Sequence, residues 1–217
     1  VELVRAAQAD AGASSTAILV RNRGSLTEIV PQLQAAGLRF RAIEIERLDE
    51  RPVVQDLLAL TRALAHAGDT LAWFAVLRAP WCGLTLGELA LLAEGAPRLP
   101  WDALHEEARV AALPAPARAR LERTRAVLAQ ALAQRGRTSL RELVAGTWLA
   151  LGGPACVSDP TDIEDAEIFL DHLEAHERAG TLGDLADFED SLQKLYALPD
   201  LQASEALQVM TIHKAKG

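Results

Sequence analysis

The sequence predicts a mostly helical protein with a small α/β part, and three observations carry that expectation. Apolar residues recur at three- and four-residue spacing through most of the chain between about residues 52 and 196. Two β-type runs near the start, at 16–21 and 38–45, enclose a helical stretch. A third run, at 207–212, stands alone near the end, so the sheet begun at Thr16 is expected to be completed by Leu207 to Ile212, with a helical insertion between.

Each element follows from local chemistry. Residues 1–10 place Val1, Leu3, Val4 and Ala7 on one helical face, and Asp-Ala-Gly-Ala-Ser-Ser at 10–15 breaks the pattern. The run 16–21, Thr-Ala-Ile-Leu-Val-Arg, is a compact apolar strand of the buried kind. Ser25 and Glu28 form a capping box for a helix over 26–36, which Gly37 terminates. Pro31 should kink that helix, because its ring removes the bond to the Thr27 carbonyl. Residues 38–45 alternate as a second strand, which completes a strand–helix–strand unit.

Beyond Pro52, which suits a first helical turn, helices dominate. Val53, Leu57, Leu60 and Leu64 define the buried face of the first, and Asp69 caps a second that stops before Pro80. Thr85 with Glu88, and Ser139 with Glu142, mark two more capping boxes. Proline-rich connectors separate helices at about 85–94, 101–112 and 115–135, and two more are expected at 162–179 and 182–196.

The chain has 217 residues and a formal net charge of −8. Residues 1–158 are nearly balanced, with 18 Lys+Arg against 16 Asp+Glu, whereas residues 159–217 hold 4 against 14. The acidity is therefore regional. Eight arginines (Arg109, Arg118, Arg120, Arg123, Arg125, Arg135, Arg137 and Arg141) cluster in one helical stretch, as a solvated face or a phosphate-facing surface. A sequence pI of about 5.2 argues against strong autonomous nucleic-acid binding. No run approaches the roughly 20 apolar residues of a membrane span, and the start lacks a signal-peptide pattern, so a soluble, cytoplasmic protein is expected. Cys82 and Cys156 form no C-x-x-C pattern and read as buried free thiols. His172 and His176 have the i, i+4 spacing of a metal pair, but without a third ligand they read as part of an exposed acidic helix face, and no metal site is expected. Trp73, Trp81, Trp101 and Trp148 are candidate base-stacking platforms, with a core position the simpler expectation for Trp73 and Trp81.

Polar turns follow the first strand (Val-Arg-Asn-Arg-Gly, 20–24) and the last (Ile-His-Lys-Ala-Lys-Gly, 212–217). Open α/β sheets bind ligands outside the carboxyl ends of their strands, where both turns are expected to lie. Arg21, Arg23, His213, Lys214 and Lys216 would then converge on an anion.

These residues carry a resemblance. The stretch 16–64, beginning Thr-Ala-Ile-Leu-Val-Arg-Asn-Arg-Gly-Ser, resembles the start of the second motor domain of UvrD/Rep/PcrA-type superfamily 1 DNA helicases, including motif IV. Val-Met-Thr-Ile-His-Lys-Ala-Lys-Gly at 209–217 is similar to their motif V, and Leu-Arg-Ala-Pro-Trp-Cys-Gly-Leu at 77–84 leans toward the RecB/AddA branch. The resemblance implies a partial RecA-like, P-loop NTPase-type motor domain carrying a helical insertion. Residues 1–80 would be the first part of domain 2A, 81–205 a 2B-like insertion, and 206–217 the return strand and a truncated motif V.

The implied function is that of a fragment of an ATP-dependent 3′ to 5′ DNA helicase of repair or recombination, cytoplasmic and bacterial. ATP and Mg²⁺ would serve the full-length protein. Its partners would be single-stranded and junction DNA, the remaining motor domains of the same polypeptide, and nuclease or recombination subunits, with no membrane partner. Arg21 would reach the ATP γ-phosphate as the catalytic arginine, and Gly217 would shape the motif V turn at the nucleotide cleft. Thr211, His213 and Lys216 would lie along the single-stranded DNA track. No G-x-x-x-x-G-K-[ST] phosphate loop occurs, so the fragment alone is expected to be inactive. The competing reading is a non-catalytic helical module that binds a protein partner through its acidic 159–190 region.

Overall fold

The structure, a computed structural model, describes residues 1–9, 15–21, 29, 32–33, 35–42, 47–94, 100–157, 159, 161–178, 181–195, 206–212 and 215, with the side chains of Thr181 and Thr211 excluded. It is mostly helical with a small parallel sheet. The chain divides into two compact units: residues Val1–Asp49 with Gln193–Gly217, and residues Glu50–Leu192.

The first unit is the α/β part. Helix α1 (Glu2–Ala9) precedes strand β1 (Thr16–Val20), and β2 spans Arg41–Ala42. The strand that returns near the end is β5 (Leu207–Thr211), which lies between the other two and runs parallel to both. Its register is Thr16 opposite Leu207 through Val20 opposite Thr211, and Arg41 opposite Gln208. The sequence expectation that β5 completes the sheet begun at Thr16 therefore holds at the level of hydrogen bonds. Val4, Val20, Leu33, Phe40, Leu207 and Val209 form the core, and Ile18, Ile29 and Leu38 pack against it.

Ile29, Gln32, Leu33 and Ala35 are helical. That helix closes as Gly37 predicts: Gly37 adopts φ +70°, and the Leu38 amide donates back to the Leu33 carbonyl at 3.0 Å. This closing turn also explains why the second strand begins later than the pattern at 38–45 suggests. Leu38 is still satisfying the helix end, so ladder pairing begins only at Arg41. The Ser25–Glu28 capping box and Pro31 lie outside the described residues.

The second unit is a helical array. Its elements are α2 (Pro52–Ala65), α3 (Thr70–Arg78), α4 (Leu86–Ala93), α5 (Pro100–Ala103), α6 (Glu107–Ala112), α7 (Ala115–Gln134), α8 (Leu140–Ala150), α9 (Thr161–His176) and α10 (Leu185–Leu192). Caps occur where the sequence places them. Asp69 accepts from the Ala72 amide at 3.0 Å, and both the Thr85–Glu88 and Ser139–Glu142 boxes are reciprocal. α2 packs on α3, α8 and α9 through a face that includes Val54, Leu57, Leu60 and Leu64, all fully buried.

The units part at Asp49/Glu50 and Leu192/Gln193, and the apolar face of α2 is satisfied by other helices of its own unit. Two features differ from the sequence reading. The helix expected over 101–112 is two, broken at 104–106, where the His105 ring nitrogen Nδ1 bonds the Trp101 carbonyl at 2.9 Å. A small antiparallel hairpin, β3 (Glu177–Arg178) and β4 (Thr181–Leu182), replaces the ends of the two helices expected at 162–179 and 182–196. Gly180 and Gly183 are the sequence signal for that interruption.

One glycine is required by contact. Gly153 follows α8 in a tight turn beside the buried Trp148, and a Cβ at this position would overlap the indole ring. Gly153→Ala should therefore destabilise the second unit by about 2 kcal/mol through overpacking. Urea unfolding monitored by tryptophan fluorescence checks this, with Gly146→Ala, where a Cβ meets nothing within 4 Å, as the control.

Candidate functional site

The carboxyl end of the β1/β5 pair is where the sequence places its chemistry. Val20 and Thr211 are the last paired residues, and the Ile212 amide donates to the Val20 carbonyl at 3.0 Å. Because the strands are parallel, Arg21 and Ile212 leave the sheet at the same edge. Arg21 is exposed in the bend that follows β1, so its guanidinium is available to a ligand approaching that edge. Thr211 occupies the last position of β5. His213, Lys216 and Gly217 lie outside the described residues, as do Arg23 and Lys214. The sheet thus brings Arg21 and the start of the 212–217 turn together.

The arginine cluster resolves differently from a phosphate-facing surface. Five of the eight guanidinium groups donate to backbone carbonyls, four of them at helix ends. Arg118 donates to Ala111 and Leu113 at 2.9 and 3.2 Å, and Arg125 donates to Leu104 at 2.8 Å. Arg120 donates to Cys82 at 2.9 Å and pairs with Glu88 at 3.3 Å. Arg109 bonds the carbonyls of Leu92 and Glu94, and Arg135 bonds that of Ala65. The last carbonyls of a helix have no partner within it, and a forked cation satisfies them while complementing the helix dipole. Arg141 instead pairs with Asp171 and Glu174 at 3.1 Å each. Arg123 and Arg137 are exposed.

Trp73, Trp81 and Trp148 are buried, which removes them as base-stacking platforms; Trp101 is half-buried and tilted against Trp73 at 5.4 Å. Cys82 is buried and Cys156 half-buried, both as free thiols, and burial pushes the Cys82 thiol up. His172 and His176 depart from the exposed acidic face expected of them. Asp171 and Glu174 are exposed, whereas the two histidines are half-buried and pack on Phe188 of α10 at 5.4 and 5.7 Å. Among the described residues no three His, Cys, Asp or Glu side chains are placed to hold a metal ion. No helix among them is long and apolar enough to cross a membrane.

The chain matches no protein-family model and no curated protein.

Proposed function

We propose that this chain is a portion of the second motor domain of an ATP-dependent DNA helicase or translocase of the superfamily 1 type, moving 3′ to 5′ in repair or recombination. The observation that supports it most is the parallel pairing of β1 with β5. It places the end of the motif IV-like strand beside the end of the motif V-like strand across a long helical excursion, as a nucleotide and DNA cleft would need.

Arg21 fits a terminal phosphate: it is exposed at the carboxyl edge of the sheet, and a planar guanidinium recognises phosphate oxygens through two parallel donors. In the whole protein ATP, with Mg²⁺, would supply the phosphoryl-transfer chemistry. Arg21 would oppose the charge that develops on the transferred phosphoryl group. Thr211, His213 and Lys216 would follow the DNA backbone from the adjacent turn, with contacts that position a strand without reading its sequence. Gly217 would let that turn approach the cleft.

The reading frame around this stretch tests the proposal. It should encode Leu-Glu directly after Gly217 and a G-x-x-x-x-G-K-[ST] loop some hundreds of residues upstream. A frame with neither would leave the helical interaction module as the better reading.

A further inference from the structure

The side chains between α9 and α10 form a cluster that no part of the proposed motor chemistry uses. His172 and His176 lie one turn apart on α9, with ring centroids 4.2 Å from each other. Both rings pack on Phe188 of α10, which also meets Phe169 of α9 edge-on at 5.8 Å and is 1% exposed.

The hydrogen bonds fix the neutral tautomers. Ser191 donates its hydroxyl proton to the Phe188 carbonyl at 2.7 Å, so its oxygen accepts from Nε2–H of His172 at 2.8 Å. His176 donates from Nδ1 to the His172 backbone carbonyl at 2.9 Å. The pair thus helps to hold α10: one ring bonds it through Ser191, and both rings pack on its buried phenylalanine.

We infer that this cluster is a pH-sensitive clasp, closed when the His172 imidazole is neutral and released when it takes up a proton on mild acidification. That proton would put an imidazolium in a half-buried site beside a second histidine ring 4.2 Å away. Neighbouring charges give little relief, because they are engaged elsewhere or turned to solvent. Arg62 of α2 pairs with Glu189 of α10 and Asp69 at 2.9 and 2.8 Å. Arg141 of α8 pairs with the exposed Asp171 and Glu174 of α9, and its amide donates to Glu177. Asp187 and Asp190 of α10 are exposed.

Burial, and then the charge of His176, hold the His172 imidazole below the usual histidine range. With the folded value lowered, the clasp's stability is present above the ordinary histidine pKa of about 6.5 and is lost as pH falls through the folded value. α10 is the last element of its unit before the chain re-enters the other.

Amide hydrogen exchange of the full chain tests this, with rates corrected for their intrinsic pH dependence. Between pH 7.5 and 5.5 the opening of residues Leu185–Leu192 should rise about tenfold, while that of α7, which does not carry the cluster, stays constant. The double variant His172→Gln/His176→Asn keeps both hydrogen-bond donors but cannot take up a proton, and its α10 opening should be flat over the same range. Unchanged opening in the native chain, or parallel opening in the double variant, would overturn the clasp. Should the double variant not fold, the histidine ring-proton resonances of the native chain decide. Their titration must coincide with the loss of α10 protection, and titration without that loss is equally fatal.

Discussion

Arg21→Ala in the complete parent protein should lower ATP turnover on the order of 10³-fold while leaving DNA affinity nearly unchanged. The magnitude is that of arginines that stabilise charge on a transferring phosphoryl group. The selectivity follows from timing: an interaction that strengthens only in the transition state lowers the rate when removed, without weakening ground-state binding to the same degree. Arg21→Lys should recover little, because an ammonium is a point charge and cannot reproduce the planar fork. His213→Ala should show the opposite bias, weakening DNA-stimulated activity with nucleotide binding nearly intact. Steady-state ATPase assays with and without single-stranded DNA, on variants of matched thermal stability, distinguish the two. Parental turnover by Arg21→Ala would sink the motif IV assignment.

Arg51→Met should cost the second unit about 3–5 kcal/mol, the largest stability loss expected from one polar substitution. Arg51 donates to Asp165 at 2.7 Å and to Asp162 at 2.8 Å, joining the entry of α2 to the first turns of α9. The two ends of the pair differ in their surroundings: the Asp165 side chain is 0% exposed, whereas that of Arg51 retains 19%. Removing the cation takes the ionic partner from a buried carboxylate, the costly way to break such a pair. Asp165→Asn leaves an arginine that still reaches water and Asp162, so it should cost less than half as much. Denaturant unfolding of both variants checks the ordering, and equal losses would show that solvent access does not set the cost.

What the sequence revealed was local chemistry. Thr85–Glu88, Ser139–Glu142, Asp69 and Gly37 each act within one turn of chain, and the structure has each doing what its residue type dictates. The return of Leu207–Thr211 to the sheet was legible because a solitary apolar strand needs partners, and only the early runs offered them. Contacts over long sequence distances were not legible. Nothing near Arg135 indicates that it bonds the carbonyl of Ala65, and the spacing of His172 and His176 fits a metal pair as well as an aromatic clasp. Of the candidate site, Arg21 follows β1 and Thr211 ends β5 at the carboxyl end of the same strand pair; His213, Lys216 and Gly217 lie outside the described residues.

The placement of β5 between β1 and β2 dictates an order of assembly during synthesis. The first unit is discontinuous, and the strand that separates its two early strands is the last to be made. While the ribosome translates residues 50–192, β1 and β2 have emerged but cannot pair with each other in their final arrangement, because each takes its ladder bonds from β5. The helical unit is contiguous, and its earlier helices can begin to pack before β5 is made. The nascent chain therefore carries two waiting strand edges, and the sheet closes only once Leu207 to Thr211 clear the exit tunnel.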